Sequence, residues 1–130
     1  MKSQPAYWRE RPQFYRMEAG KCTSCEKICY PPRLICPACQ SREFEAVSLP
    51  LSGKLLTYTV IRVAPSRFVD QAPYAIGIVE TEGGGRLMAQ VVDCDPDNLT
   101  IGLDLKLEFR KISADGEAGI ICYGHKAVPA

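Results

Sequence analysis

Two close cysteine pairs, Cys22-Thr23-Ser24-Cys25 and Cys36-Pro37-Ala38-Cys39, set the tightest limit on how this chain folds. The spacing C-x2-C-x10-C-x2-C converges four sulfurs on a tetrahedron with Zn–S distances of about 2.3 Å, the zinc-ribbon arrangement. One such pair alone would also suit a thioredoxin-like redox site, but two pairs outside any βαβ pattern favour a metal. Iron in a rubredoxin-like centre is a competing occupant of similar geometry, which a colourless protein would exclude. With four protein ligands no coordination position stays open, so the metal is expected to hold the fold and not to activate water. Lys21, Lys27 and Arg33 stand near enough in sequence to offset the negative charge of a ZnS4 centre. Many ribbons have glycine after each knuckle; here Glu26 and Gln40 stand there, and slight backbone strain is expected. Cys29 is a less regular alternative ligand, and Cys122 reads as a small apolar core residue in a strand.

The chain has seven cysteines, an odd number, and Met1 leads into charged and aromatic residues with no apolar leader. Thiolate ligation in a cytoplasmic protein is therefore expected, and no run approaches the roughly 18 apolar residues of a membrane span. At 130 residues and 46% hydrophobic, the chain can bury a real core, while ten prolines and ten glycines point to short strands and many turns.

Three segments follow from the pattern. Residues 1–20 form an N-terminal helical segment of two short helices, with Pro12 opening the second and Gly20 ending it. Tyr7, Trp8, Phe14 and Tyr15 make it aromatic, as packing on the chain's own core or as an anchor into a partner. Residues 21–46 are the zinc ribbon, and 47–130 a five-stranded barrel of the OB type. The first strand, 53–63, is long and bent, and strands follow at 74–81 and 86–92 around the Glu82-Gly83-Gly84-Gly85 hairpin. Alternation of apolar and charged residues marks 103–110. Asp115-Gly116 turns the chain into a last strand at 119–123. His125 then falls in the tail as a surface residue.

Charge divides along the same lines. Residues 1–46 carry eight Lys/Arg against five Asp/Glu, and residues 47–130 carry eight against ten. No Ser/His/acid set, His-based metal site or phosphate loop can be assembled, so no catalytic residue is assigned.

The motifs Tyr7-Trp8-Arg9-Glu10, Cys22-x2-Cys25, Tyr30-Pro31-Pro32-Arg33, Cys36-Pro37-x-Cys39, Thr57-Tyr58-Thr59-Val60, Pro73-Tyr74, Val91-Val92-Asp93-Cys94-Asp95 and Ile101-Gly102-Leu103 stand in order along nearly the whole chain. Together they resemble the rubredoxin-like zinc-ribbon plus OB-fold proteins that accompany thiolase-superfamily enzymes, as in the archaeal acetoacetyl-CoA thiolase/HMG-CoA synthase complex. The resemblance implies a non-catalytic subunit that binds a thiolase or HMG-CoA synthase in a hetero-oligomer and helps complete an acyl-CoA site or channel. One departure is Tyr123-Gly124-His125-Lys126-Ala127, where such proteins tend to have an aromatic after the lysine.

A subunit lining the path of coenzyme A needs cationic donors beside apolar wall. The densest such place in the barrel is Arg62, Arg67, Phe68 and Tyr74, and a solvated loop is the plain alternative. Tyr7, Trp8, Phe14 and Tyr15 are the candidates for partner binding. The competing function is single-stranded nucleic-acid binding, which zinc ribbons and OB barrels both serve, but the barrel segment is net acidic where such a groove is basic.

The cysteine spacing predicts about one zinc per chain and loss of ribbon folding in Cys36→Ser. Metal analysis of protein purified without chelator checks it, and absence of both zinc and iron would contradict it.

Overall fold

The structure is a computed structural model that describes residues 4–114 and 121–130. It is mostly β, and a small ribbon sheet and a closed barrel share one apolar core. Two short helices open it, α1 (Gln4–Arg9) and α2 (Arg11–Arg16), with Pro12 in the first turn of α2 where its missing N–H costs nothing. The second helix ends at Met17, not at Gly20: Met17 takes a left-handed backbone (φ 52°), and its N–H returns to Pro12 O. Its side chain is buried, so tertiary packing holds this residue in a conformation disfavoured outside glycine.

The chain enters β1 (Glu18–Cys22) directly, and the ribbon sheet has the order β2-β1-β3, with β2 at Ile28–Cys29 and β3 at Phe44–Ser48. Ala19 of β1 and Leu49 after β3 belong to the same buried cluster as Leu55, Val79, Val91, Leu105 and Ala127 of the barrel. Leu49 N donates to Met17 O at 2.9 Å, which ties the exit of the ribbon to its entry.

The barrel closes in the order β4-β5-β6-β8-β7, with β4 at Ser52–Ile61, β5 at Tyr74–Thr81, β6 at Arg86–Val91, β7 at Asp104–Ala114 and β8 at Ile121–Pro129. Strand β4 is long and bent as expected. Ser52, Gly53 and Lys54 pair with β7 on one side, while β4 pairs with β5 on the other from Gly53 to Ile61, with a register shift between Leu55 and Thr57. The crossing is tight: a Cβ on Gly77 would lie 2.5 Å from Leu55 Cδ1, and one on Gly53 would lie 2.5 Å from Glu80 O. Only glycine lets the strands approach so closely.

The last strand differs most from expectation. It runs to Pro129, far past 119–123, because closure needs a strand long enough to pair with β7 from Leu105 to Ala114 and to meet β6 in parallel at Val91 and Ala127. The Asp115-Gly116 turn lies outside the described residues. His125 is therefore in a strand, half-buried, with Nδ1 3.0 Å from Phe14 O. The loop after β4 also has structure of its own, a 3-10 helix at Ser66–Gln71.

Lys126 is buried, and no carboxylate forms a salt bridge with it among the described residues. Its Nζ donates to Gln71 Oε1 at 3.0 Å, and Gln90 Nε2 donates to the same oxygen at 3.0 Å. Burial, and then the charge of Arg110, pull the ammonium below its usual pKa. The unfolded chain thus binds this proton more tightly than the folded one. The charged amine weakens the fold in full below the folded pKa, and that penalty fades as pH rises toward the ordinary lysine value. Lys126→Met is expected to be at least as stable as the parent at pH 7, with the difference narrowing in alkali. Denaturant unfolding of both across this range checks the sign, and a large loss of stability at pH 7 would contradict it.

Candidate functional site

The two knuckles are built alike. Cys22 N donates to Lys27 O and Glu26 N to Cys22 O, while Cys36 N donates to Ser41 O and Gln40 N to Cys36 O, all at 2.9 Å. Each turn requires a left-handed residue after its second cysteine, and Glu26 (φ 63°) and Gln40 (φ 62°) supply it without being glycine. The strain expected from the sequence is present. Ser24 Oγ to Ser41 Oγ, 3.3 Å, links one knuckle to the other.

All four sulfurs lie within 4.8 Å of one another, and the cross pairs Cys22–Cys39 and Cys25–Cys36 are 3.5 Å apart. A Zn–S distance of about 2.3 Å implies a tetrahedron edge of about 3.8 Å, so the cluster matches the ion's size. Before a metal binds, the sulfurs hold their protons unevenly. Backbone N–H groups, first that of Cys25, pull the Cys22 thiol down to about 6, and the N–H of Cys39 lowers Cys36. Against a lowering N–H from Lys27, the neighbouring Cys36 sulfur and burial push Cys25 up to about 12; Cys39 is likewise raised against the N–H of Ser41. Four thiolates this close need a cation among them, and a soft divalent ion with tetrahedral preference suits the set. Zinc would be held by Cys22, Cys25, Cys36 and Cys39 and would supply folding stability, since no position is left for substrate. Cys29 is buried in β2 opposite Gly20 and stands outside the cluster.

The second feature is a groove of about 640 Å3 between the helices, the ribbon loop and the barrel. Tyr7 and Phe14 come from the helices, with rings stacked at 5.6 Å; Tyr30 and Pro31 come from the ribbon, and Arg67, Phe68, Met88, Tyr123 and His125 from the barrel. The walls are held by hydrogen bonds. Tyr30 donates to Gln13 O at 3.1 Å, and the Tyr7 hydroxyl accepts from Tyr123 N at 2.9 Å and donates to Tyr123 O at 3.2 Å. Burial and the Tyr15 hydroxyl push the Tyr7 phenol up to about 12, so it stays a donor.

The expected acyl-CoA residues divide. Arg67 and Phe68 line the groove, Tyr74 is buried beside Phe68 with ring centroids 5.8 Å apart, and Arg62 is turned to an ion pair with Asp97 at 3.0 Å. The aromatic segment divides too: Tyr7 is buried and Phe14 faces the groove, while Trp8 is 61% exposed. Tyr30, Met88 and Tyr123 were not singled out by the sequence as groove residues, and only the outward phase of Met88 beside buried Leu87 hints at its position. Cys122 and His125 both border the groove, but no hydrogen bond joins them, and His125 Nδ1 is engaged by Phe14 O.

Because the knuckles are strained, Glu26→Gly and Gln40→Gly are each expected to stabilise the metal-loaded protein by about 0.5 to 1 kcal/mol, relief of a left-handed side chain exceeding the entropy cost of glycine. Slower zinc release to a chelator would show it, and faster release would contradict it.

Comparison with known proteins places this geometry. The ChsH2 rubredoxin-like zinc ribbon domain matches residues 9–45, and the ChsH2 C-terminal OB-fold domain matches residues 46–110. A DUF35 domain-containing scaffold protein of Methanocaldococcus jannaschii is 42% identical over 94% of this chain and 87% of its own length. The benzoylsuccinyl-CoA thiolase subunit BbsA of Thauera aromatica is 30% identical over 66% of this chain and 63% of its own. Among solved structures, the Ltp2-ChsH2(DUF35) aldolase superposes with a TM-score of 0.73 at 27% identity, over 99% of this chain and 96% of that one. With ribbon, barrel and near full-length relatives in agreement, the chain belongs to the ChsH2-type DUF35 family of rubredoxin-like zinc-ribbon and OB-fold proteins.

Proposed function

We propose that this chain is a non-catalytic subunit that associates with a thiolase-superfamily enzyme and helps form the acyl-CoA site of the assembly. The observation that carries the reading is an aromatic groove, walled by all three parts of the chain and bordered by Arg67, in a protein whose relatives bear scaffold and thiolase-subunit names. Among the described residues no hydrogen-bonded nucleophile and base face that groove, and the four-sulfur centre leaves no ligand position for substrate. A surface of this kind shapes and closes a neighbour's site.

Arg67 and Phe68 sit together on one turn of 3-10 helix, which supports a role in holding the anionic and apolar parts of an acyl-CoA. The nucleic-acid reading gains nothing from the geometry: Arg62 and Arg110 of the acidic barrel are already paired with Asp97 and Asp93.

Purified chain is expected to show no thiolase activity alone and to raise the activity of its partner when mixed with it. In the assembled complex, Arg67→Ala and Phe68→Ala are expected to weaken turnover several-fold at sub-saturating acyl-CoA, with zinc content and melting unchanged. Full turnover by this chain alone, or a partner indifferent to it, would overturn the proposal, and unchanged kinetics in both variants would remove the 3-10 turn from it.

A further inference from the structure

Beside the groove, and sharing Tyr123 with it, the surface carries a continuous run of aromatic and cation–π contacts. The Arg11 guanidinium lies over the Trp8 ring at 4.3 Å and over the Tyr15 ring at 5.0 Å. Tyr15 meets Phe109 edge-on at 5.2 Å, and Phe109 stacks on Tyr123 at 5.7 Å. Helix residues and barrel residues thus form one ladder, Trp8, Arg11, Tyr15, Phe109 and Tyr123. It is not core: Trp8 is 61%, Phe109 49% and Tyr123 38% exposed. A monomer gains little by placing its only tryptophan there. Tryptophan, tyrosine and arginine already in contact with one another are what the centre of a protein interface is made of, and the preset contacts lower the entropy cost of ordering them.

The rim indicates what covers it. Arg9, Arg16 and Lys111 are exposed; Arg9 and Arg16 follow Trp8 and Tyr15 in sequence, and Lys111 stands directly across from Tyr123 in the β7–β8 pairing. Glu18 sits beside Arg16 at 3.9 Å, Glu108 is drawn to Lys106 at 3.2 Å and Glu10 is only partly exposed, so cations predominate on the exposed rim among the described residues. An apolar recess edged with carboxylates complements it in both shape and sign.

Resting on the proposed function, we infer that this ladder is the surface by which the chain docks on its thiolase-superfamily partner, with Trp8 and Phe109 buried in an apolar recess and carboxylates of the partner facing Arg11 and the cationic rim. The adjoining groove shares Tyr123 with the ladder, so docking here brings the groove against the partner.

The test measures the dissociation constant of the zinc-loaded full chain with the thiolase-superfamily enzyme encoded by the same organism, by calorimetry at two salt concentrations. Trp8→Ala and Phe109→Ala are each expected to weaken binding about tenfold or more, and Arg11→Glu to weaken it further and flatten its salt dependence. Val63→Ala and Ile101→Ala, at exposed apolar positions off the ladder, are expected to bind as the parent does. Zinc content should be unchanged in all five variants, and melting temperature in all but Phe109→Ala, which removes one anchor of α2; Trp8→Ala, at an exposed position, carries the test free of that effect. Parent-like binding by Trp8→Ala and Phe109→Ala would overturn the docking surface and leave the proposed function standing. Failure of the parent chain to bind would overturn both. A parent chain that dimerises by itself, and is made monomeric by the ladder variants, would assign the surface to a second copy and overturn the inference.

Discussion

Convergence of four sulfurs is the constraint on which the rest of the ribbon depends. Between Cys22 and Glu43 the buried positions are few, chiefly Cys22, Cys29 and Cys36, while the residues around them are exposed. A segment so poor in apolar contacts cannot offset the entropy of ordering its backbone. Bonds from Cys22, Cys25, Cys36 and Cys39 to a metal would supply the missing stability, and the paired N–H···O bonds of each knuckle orient the sulfurs in advance.

That local constraint reaches the outer surface through a short chain of contacts. The ribbon loop carries Tyr30, whose hydroxyl holds Gln13 O of α2. Helix α2 carries Phe14, whose carbonyl meets His125 of β8, and Tyr15, which packs on Phe109 of β7. Tyr7 adds a two-way hydrogen bond to the Tyr123 backbone. The helices are six residues each, too short to persist alone, so their placement rests on these few anchors. Loss of the metal would therefore loosen one wall of the groove and, through α2, the aromatic ladder.

Much of this was legible in the sequence for physical reasons. The cysteine spacing encodes the metal site because ligation geometry demands it, and β5 and β6 were readable because apolar, strand-forming residues flank the glycine-rich turn Glu82-Gly83-Gly84-Gly85. The ribbon strand β1 was hidden because Glu18-Ala19-Gly20-Lys21 lacks β-branched residues, its pairing being imposed by β3 and the knuckle. The end of β8 was hidden because Tyr123-Gly124-His125 resembles a turn, yet a glycine there sits under Ile112, whose Cγ1 would lie 3.3 Å from an added Cβ. Burial of Lys126 ran against the residue's usual preference. The ladder joins residues about a hundred positions apart, and only the β7–β8 register and the docking of α2 bring them together.

On the proposed reading, a structural metal supports the surface by which the chain meets its partner enzyme. It is tested most directly by stripping zinc from the full chain, adding it back in steps, and following binding to the thiolase-superfamily partner. Stripped protein is expected to bind weakly or not at all, with binding returning in proportion to zinc and complete at about one ion per chain. Equal binding by stripped and loaded protein would contradict it.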